Sequence, residues 1–333
     1  MHPIVYSRRQ FLATTAGLSI TGLPLMTKAN QQSKKISYAP IQSTPRFEAP
    51  NFLGPLAQHL FQPGTLTFVA ERFSPGGMDF GMNIVMDAAI NTQLPTAVFN
   101  YGRSTDRLQD SLAAIQTGIN FWRIHFARRH NRASLLNDYQ WKDVRAAERE
   151  AERSPLGFFA RTSRYEGHGT YPGMLLDEGI ATVFEKAGRL PLALIVVSGL
   201  VFERIDWPIV HGQPIKRTGY LPAHTPKLER FCRSLRSAAR FLGAAVLVQA
   251  RVKVEYEEHP MTGYYPKDVS DLEAATAVNA NADAVIFVHC DENYNRDAAR
   301  KGIADIIVAK NLNGITGSVE ARFVADTGKL SPI

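Results

Sequence analysis

The chain has 333 residues, 45% of them hydrophobic and 21% charged, with a formal charge of +7. This composition excludes a disordered or fibrous chain, and the length is enough for one large or two ordinary domains with a real core. The basic surplus suits a polyanionic partner, but a charge of this size is common and selects none by itself.

Residues 7–12 read Ser-Arg-Arg-Gln-Phe-Leu and lead into the uncharged, mildly apolar stretch Ala13 to Thr27, then Lys28, Ala29 and a polar segment from Asn30. A basic start, an apolar region too weak for a stable span and a small residue before the cut resemble a twin-arginine export signal. The expectation for residues 1–29 is periplasmic export, with a basic tail on a cytoplasmic protein as the alternative. Cleavage would take Arg8, Arg9 and Lys28, and no acid, out of the total. Beyond residue 30 no run approaches the ~18 uncharged apolar residues of a membrane helix, so the body is expected to be soluble with no transmembrane domain.

Residues 30–50, rich in Gln, Ser, Lys and Pro, read as a linker to a single domain over 51–333. Within that domain β-rich runs alternate with helical stretches. Strands are expected at Leu66–Ala70, Ala97–Asn100, Leu156–Ala160, Leu192–Val197, Ala244–Gln249, Ala284–His289, Ile303–Val308 and Ser318–Val324. Helices are expected at Phe80–Asn91, Asp106–Thr117, Trp141–Ala151, Met174–Ala187 and Pro226–Leu242. Unbroken apolar strands such as Leu192 to Val197 imply a largely parallel sheet covered on both faces, an α/β layer fold. Cys232 and Cys290 lie far apart in apolar stretches and read as buried thiols.

The stretch Leu66 to Phe80 lays out a strand, a loop with Gly76-Gly77 and a helix start, the place where backbone N–H groups cradle phosphate. The phosphate-binding pattern G-x-x-x-x-G-K-[ST] uses the lysine on the β/γ-phosphates and the hydroxyl on Mg²⁺. In that frame Glu71 takes the first glycine, Ser74 lies inside, Gly76 keeps the second glycine, Gly77 takes the lysine and Met78 the hydroxyl residue. A carboxylate with no cation and no metal ligand makes a poor triphosphate site.

Several segments then resemble one family in the right order. They are Leu60-Phe61-Gln62-Pro63-Gly64-Thr65-Leu66, Phe80 with Asn83-Ile84, Asp271-Leu272-Glu273, Ala282 to Asn295, Lys301 to Lys310, and Asn313-Gly314-Ile315-Thr316-Gly317-Ser318-Val319. Together they resemble the C-terminal ATPase domain of DnaB-type replicative DNA helicases over residues 51–326. The resemblance implies a RecA-like three-layer α/β fold with a largely parallel central sheet. In active members it implies ATP and Mg²⁺ as cofactors, ATP-dependent DNA helicase activity and a ring assembly.

Laid on that family's pattern, the catalytic positions are lost: the catalytic glutamate falls on Gly102, the Mg²⁺-supporting aspartate on Ser198 and the arginine finger on Leu312. Gln249 of the sensor is kept, with Arg251 close by, as are Lys310, Asn313 and Gly314. Phosphoryl transfer rests on positioning and charge stabilisation, so these losses together remove its basis. Glu203 and Asp206 follow the fourth strand but cannot stand in for the lysine, and no metal site or cofactor is expected.

Arg123, Arg128, Arg129 and Arg132, with His125 and His130, form a basic cluster that could contact nucleic acid. At helical spacing Arg128 and Arg132 share a face, although such a run is more often a solvated surface. Lys253 to Lys267 lies where the family carries a channel loop, but it is half acidic and reads as exposed; His168, between glycines, reads as a turn. The expectation is a non-catalytic, exported binding or structural module. Its open partners are single-stranded DNA, a helicase ring or a further copy of itself. The alternative is a cytoplasmic DNA-replication accessory, or an active helicase of plasmid or phage origin.

Overall fold

The computed structural model describes residues 45–71, 80–100, 105–130, 132–160, 192–198, 226–250, 266, 268–272, 275–293 and 297–333. In chain order these form β1 (Leu66–Glu71), α1 (Phe80–Val85, continued by the π-helical Met86–Asn91), β2 (Thr96–Asn100), α2 (Thr105–Thr117), α3 (Phe121–Arg129), α4 (Asp138–Arg153), β3 (Leu156–Ala160), β4 (Leu194–Ser198), α5 (Pro226–Leu242), β5 (Ala245–Ala250), α6 (Ala275–Asn281), β6 (Ala284–His289), β7 (Ile303–Asn311), β8 (Gly317–Val324) and β9 (Lys329–Pro332). The strands make one sheet in the order β3-β2-β4-β5-β1-β6-β7-β8-β9. From β3 to β6 every pairing is parallel, and β7 to β9 add an antiparallel wing.

Alternation along the strands divides the core into two layers. Leu66, Phe68 and Ala70 of β1 face α5 and α6, packing with Phe231, Cys232, Leu235 and Val278. Val69, Val98, Val196 and Leu247 face the other way, toward α1, α2 and the segment around Phe52 and Leu56. A sheet buried on both sides between helices is the three-layer α/β arrangement of RecA-like domains. A smaller cluster joins α2, α3 and α4 through Ala114, Ile124 and Val144.

Three features differ from the sequence expectations. Phe47, inside the segment read as a linker, is 2% exposed and packs on Phe61 with ring centroids 5.7 Å apart, so the folded body takes in residue 47. Helix α4 begins at Asp138 because Asn137 and Gln140 form a reciprocal cap, each side chain accepting from the other's backbone N–H. Helices α3 and α6 and strand β9 were not expected. β9 is held from outside the sheet by Asn83 of α1: its Oδ1 accepts the Leu330 N–H at 2.9 Å and its Nδ2 donates to the Gly328 carbonyl at 2.8 Å. The expected helix Met174–Ala187 lies outside the described residues.

Candidate functional site

Because β1, β2, β4 and β5 are parallel, Glu71, Asn100, Ser198 and Ala250 finish at one edge of the sheet. In open α/β sheets, ligands bind outside the carboxyl ends of the strands. Asn100 stands beside Ser198 in the β2–β4 register, and both are buried. None of the four is a cation.

Glu71 organises the centre of this edge. It is 9% exposed; its Oε2 accepts the Phe80 N–H at 3.1 Å and its Oε1 accepts from Gln249 Nε2 at 3.0 Å. Phe80 opens α1, whose first amides have no partner within the helix, and negative charge is favoured at such a start. Gly81 makes the Gln249 contact possible, since a Cβ there would lie 2.8 Å from the Gln249 Cδ and Nε2 atoms. Sequence reading found the glutamate only as a departure from the glycine of the phosphate-binding pattern, not as a residue with a role of its own.

The described residues at this edge do not fit Mg²⁺-triphosphate. The carboxylate at the end of β1 carries the same sign as the phosphates, and β4 ends on a neutral serine where a metal-supporting acid would be required. Ser74, Gly76, Gly77 and Met78 of the loop read from sequence as degenerate lie outside the described residues, as do Gly102, Arg251, Glu203, Asp206, His168 and most of Lys253 to Lys267. At the end of β6, His289 Nε2 sits 2.8 Å from Asp291 Oδ1. Cys232 and Cys290 are both free and buried, and burial pushes the Cys232 thiol up from 9.0 to about 12.

The residues read from sequence as retained, Gln249, Lys310, Asn313 and Gly314, do not converge within the chain. Gln249 is at the carboxyl edge, whereas Lys310 pairs with Val285 near the amino end of β6. Lys310 Nζ donates to the Asn279 carbonyl at 2.5 Å, a cation on the last turn of α6, and burial lowers its pKa, with Arg236 adding to the shift. Asn313 borders an open depression of about 630 Å³ with His59, Gln62, Thr65, Arg240 and Asp283. Gly314 has a packing reason to be glycine, as a Cβ would lie 2.8 Å from the Gln58 carbonyl. Leu312 is 58% exposed in the β7–β8 turn, at this same end of the sheet.

Of the four basic-cluster arginines, Arg123, Arg129 and Arg132 are exposed and Arg128 is half-buried, and three have partners within the chain. Arg123 donates to the Leu135 carbonyl and to Gln140; Arg128 binds Asp110 and Glu148; Arg129 pairs with Asp106 at 2.8 Å. The shared helical face expected of Arg128 and Arg132 does not exist, because α3 ends at Arg129 and Arg132 precedes a separate 3₁₀ turn. At the centre lies Asp110, a fully buried carboxylate of α2 that also meets His125 Nδ1 at 2.9 Å. Among the described residues no group of three or more His, Cys, Asp or Glu is placed to hold a metal, and no helix is long and apolar enough to cross a membrane.

Comparison with known proteins converges on one lineage. Residues 215–331 match the family described as DnaB-like helicase C terminal domain. The chain is 25% identical over 265 residues to the replicative DNA helicase DnaB of Pasteurella multocida (strain Pm70), covering 79% of this chain and 50% of that protein. It is 24% identical over 274 residues to replicative DNA helicase DnaB of Geobacillus stearothermophilus, covering 81% and 52%. The chain thus spans about half the length of the curated relatives it matches. Among solved structures, the ATPase domain of G40P aligns with a TM-score of 0.61 at 17% identity, covering 86% of this chain and 91% of that one. A DnaB-like replicative helicase studied with primase aligns with a TM-score of 0.60 at 18% identity, covering 82% and 58%. These likenesses establish a RecA-like fold and homology to replicative helicases.

Proposed function

From this homology, we propose that the chain is a RecA-like domain descended from a replicative helicase that no longer hydrolyses ATP and acts as an exported binding or structural module. The observation that carries the reading is the carboxylate of Glu71 at the end of the central strand, hydrogen-bonded to the first amide of α1. The buried Ser198 and the exposed Leu312 support it from two other positions. An arginine finger alone is worth about 10³–10⁵ in rate, so an apolar residue there removes a large part of transition-state stabilisation.

Export fits the same reading. The Arg8-Arg9 segment would carry the domain to a compartment without ATP, where the cleft is under no demand to keep its chemistry. In this account ATP and Mg²⁺ are not cofactors, and the partner is a macromolecule or a further copy of the chain.

The test is a hydrolysis assay on purified protein with ATP and Mg²⁺, with and without single-stranded DNA. No turnover above buffer is expected. DNA-stimulated turnover would contradict the proposal and favour a cytoplasmic protein of DNA replication.

A further inference from the structure

The depression of about 630 Å³ at the amino end of the sheet gathers polar side chains that the fold itself does not use. Among the described residues, the Arg240 guanidinium, the His59 ring and the side-chain amides of Gln62 and Asn313 line it without a hydrogen-bond or ion-pair partner. Arg240 is exposed in the last turn of α5, and its stem lies against Gly64, where a Cβ would stand 3.6 Å from the Arg240 Cα and 3.8 Å from its Cγ. The Gly64 N–H donates to the Ala244 carbonyl at 3.1 Å, which ties the turn before β1 to the α5–β5 junction.

Two further observations point to a ligand. His59 holds a φ of 63°, a left-handed conformation that strains a residue with a Cβ and that glycine would adopt freely. Such strain collects at ligand sites. Asp283, the acid in the lining, is already engaged: its Oδ2 accepts the Leu66 N–H at 2.9 Å and its Oδ1 accepts from Arg236 at 3.1 Å. Arg236 thus answers Asp283, and the charge of Arg240 is left unopposed within the lining.

We propose that this depression binds a small polar carboxylate, its acid group held by Arg240 and His59 and its amide or hydroxyl groups by Gln62 and Asn313. The planar guanidinium fork matches a carboxylate, and the two side-chain amides both donate and accept. A phosphate site would draw on unpaired backbone N–H groups at a helix start. Here the Gly64 and Thr65 N–H groups already donate to the Ala244 and Gln62 carbonyls, and α5 brings its C-terminal, negative end to the depression. The site lies at the opposite end of the sheet from Glu71, so it stands apart from the nucleotide reading, and its ligand is additional to the macromolecular partner proposed above.

The experiment is an NMR titration of the full chain, followed at the backbone amides of Gly64 and Asn313. N-acetylglycine is the probe, with neutral N-acetylglycinamide and inorganic phosphate as controls at constant ionic strength. N-acetylglycine shifts both signals to saturation in the millimolar range, the neutral amide does not, and phosphate binds about tenfold more weakly or worse. Arg240→Gln, a change at an exposed position, weakens the probe by about tenfold or more with the fold kept. His59→Gly releases the strained backbone and removes the ring, so affinity falls while the thermal midpoint is no lower than in the parent protein.

Shifts that do not saturate, equal binding of the neutral amide or of phosphate, or unchanged affinity in Arg240→Gln would overturn the carboxylate site. Parent affinity in His59→Gly would overturn the ring's part in it, and a lowered midpoint would overturn the strain that assigns His59 to a ligand.

Discussion

His125 Nδ1 lies 2.9 Å from Asp110 Oδ2, joining α3 to α2 through a carboxylate with no exposed surface. Arg128 binds the other oxygen of the same group, and Phe121 stacks on the His125 ring with an interplanar angle of 9°. His125 and Arg128 of the basic cluster therefore work inward, joining α3 to α2.

Removing the acceptor should be costly. Asp110→Ala leaves Arg128 and His125 facing a buried gap and is expected to lower unfolding free energy by about 3–5 kcal/mol. Arg129→Ala, whose near partner Asp106 is half exposed and whose Nε lies only at 3.9 Å from Asp110, should lose no more than about 1 kcal/mol. Urea denaturation of both variants checks the pair; similar small losses would mean that Asp110 is not the anchor.

Cys232 gives a pH signature. Burial is the main cause of its raised pKa, with Glu229 adding to it. The folded state holds this proton more tightly than the unfolded one, so the thiol's contribution is full below pH 9.0 and is lost as pH rises toward about 12. Lys310 acts in the opposite sense, because its lowered folded value favours the folded state as pH rises. Cys232→Ala leaves Lys310 untouched, so stability measured against pH should fall less steeply in the variant over that range. Parallel curves for the two proteins would refute the assignment.

Leu312→Arg places an arginine at the exposed turn that we propose once held the finger residue. Stability should change by less than about 0.5 kcal/mol, and ATP hydrolysis should stay at background. Measurable turnover would mean that the rest of the site is intact and that only the finger is missing.

The chemistry of residues 1–29 predicts a processed chain. Mass spectrometry of protein recovered from the periplasm should place the mature start near Asn30, and replacing Arg8 and Arg9 with lysine should retain the precursor inside. A full-length protein confined to the cytoplasm in both cases would turn the account toward DNA replication.

Much of the sheet was legible because its strands are unbroken apolar runs. Ala284–His289 and Leu156–Ala160 have the bounds that their residues imply, and α5 spans Pro226–Leu242 as its periodicity requires. α3 was hidden because only Phe121, Ile124 and Ala127 are buried among charged neighbours, although Asn120 capping Trp122 and Arg123 was a readable start signal. β9 has four residues, one of them proline, and depends on Asn83 more than 240 positions away. The sequence reading of losses at Gly77, Ser198 and Leu312 remains a proposal, and Gly77 lies outside the described residues. The contact between Glu71 and Gln249 was not legible, because the two are 178 positions apart in the chain and meet only once β5 lies beside β1.

The central claim is tested most directly by titrating purified protein with ATP and Mg²⁺ and measuring binding heat. The account predicts no saturable binding at millimolar nucleotide. A clear binding isotherm would contradict it, showing that the edge around Glu71 still admits a triphosphate.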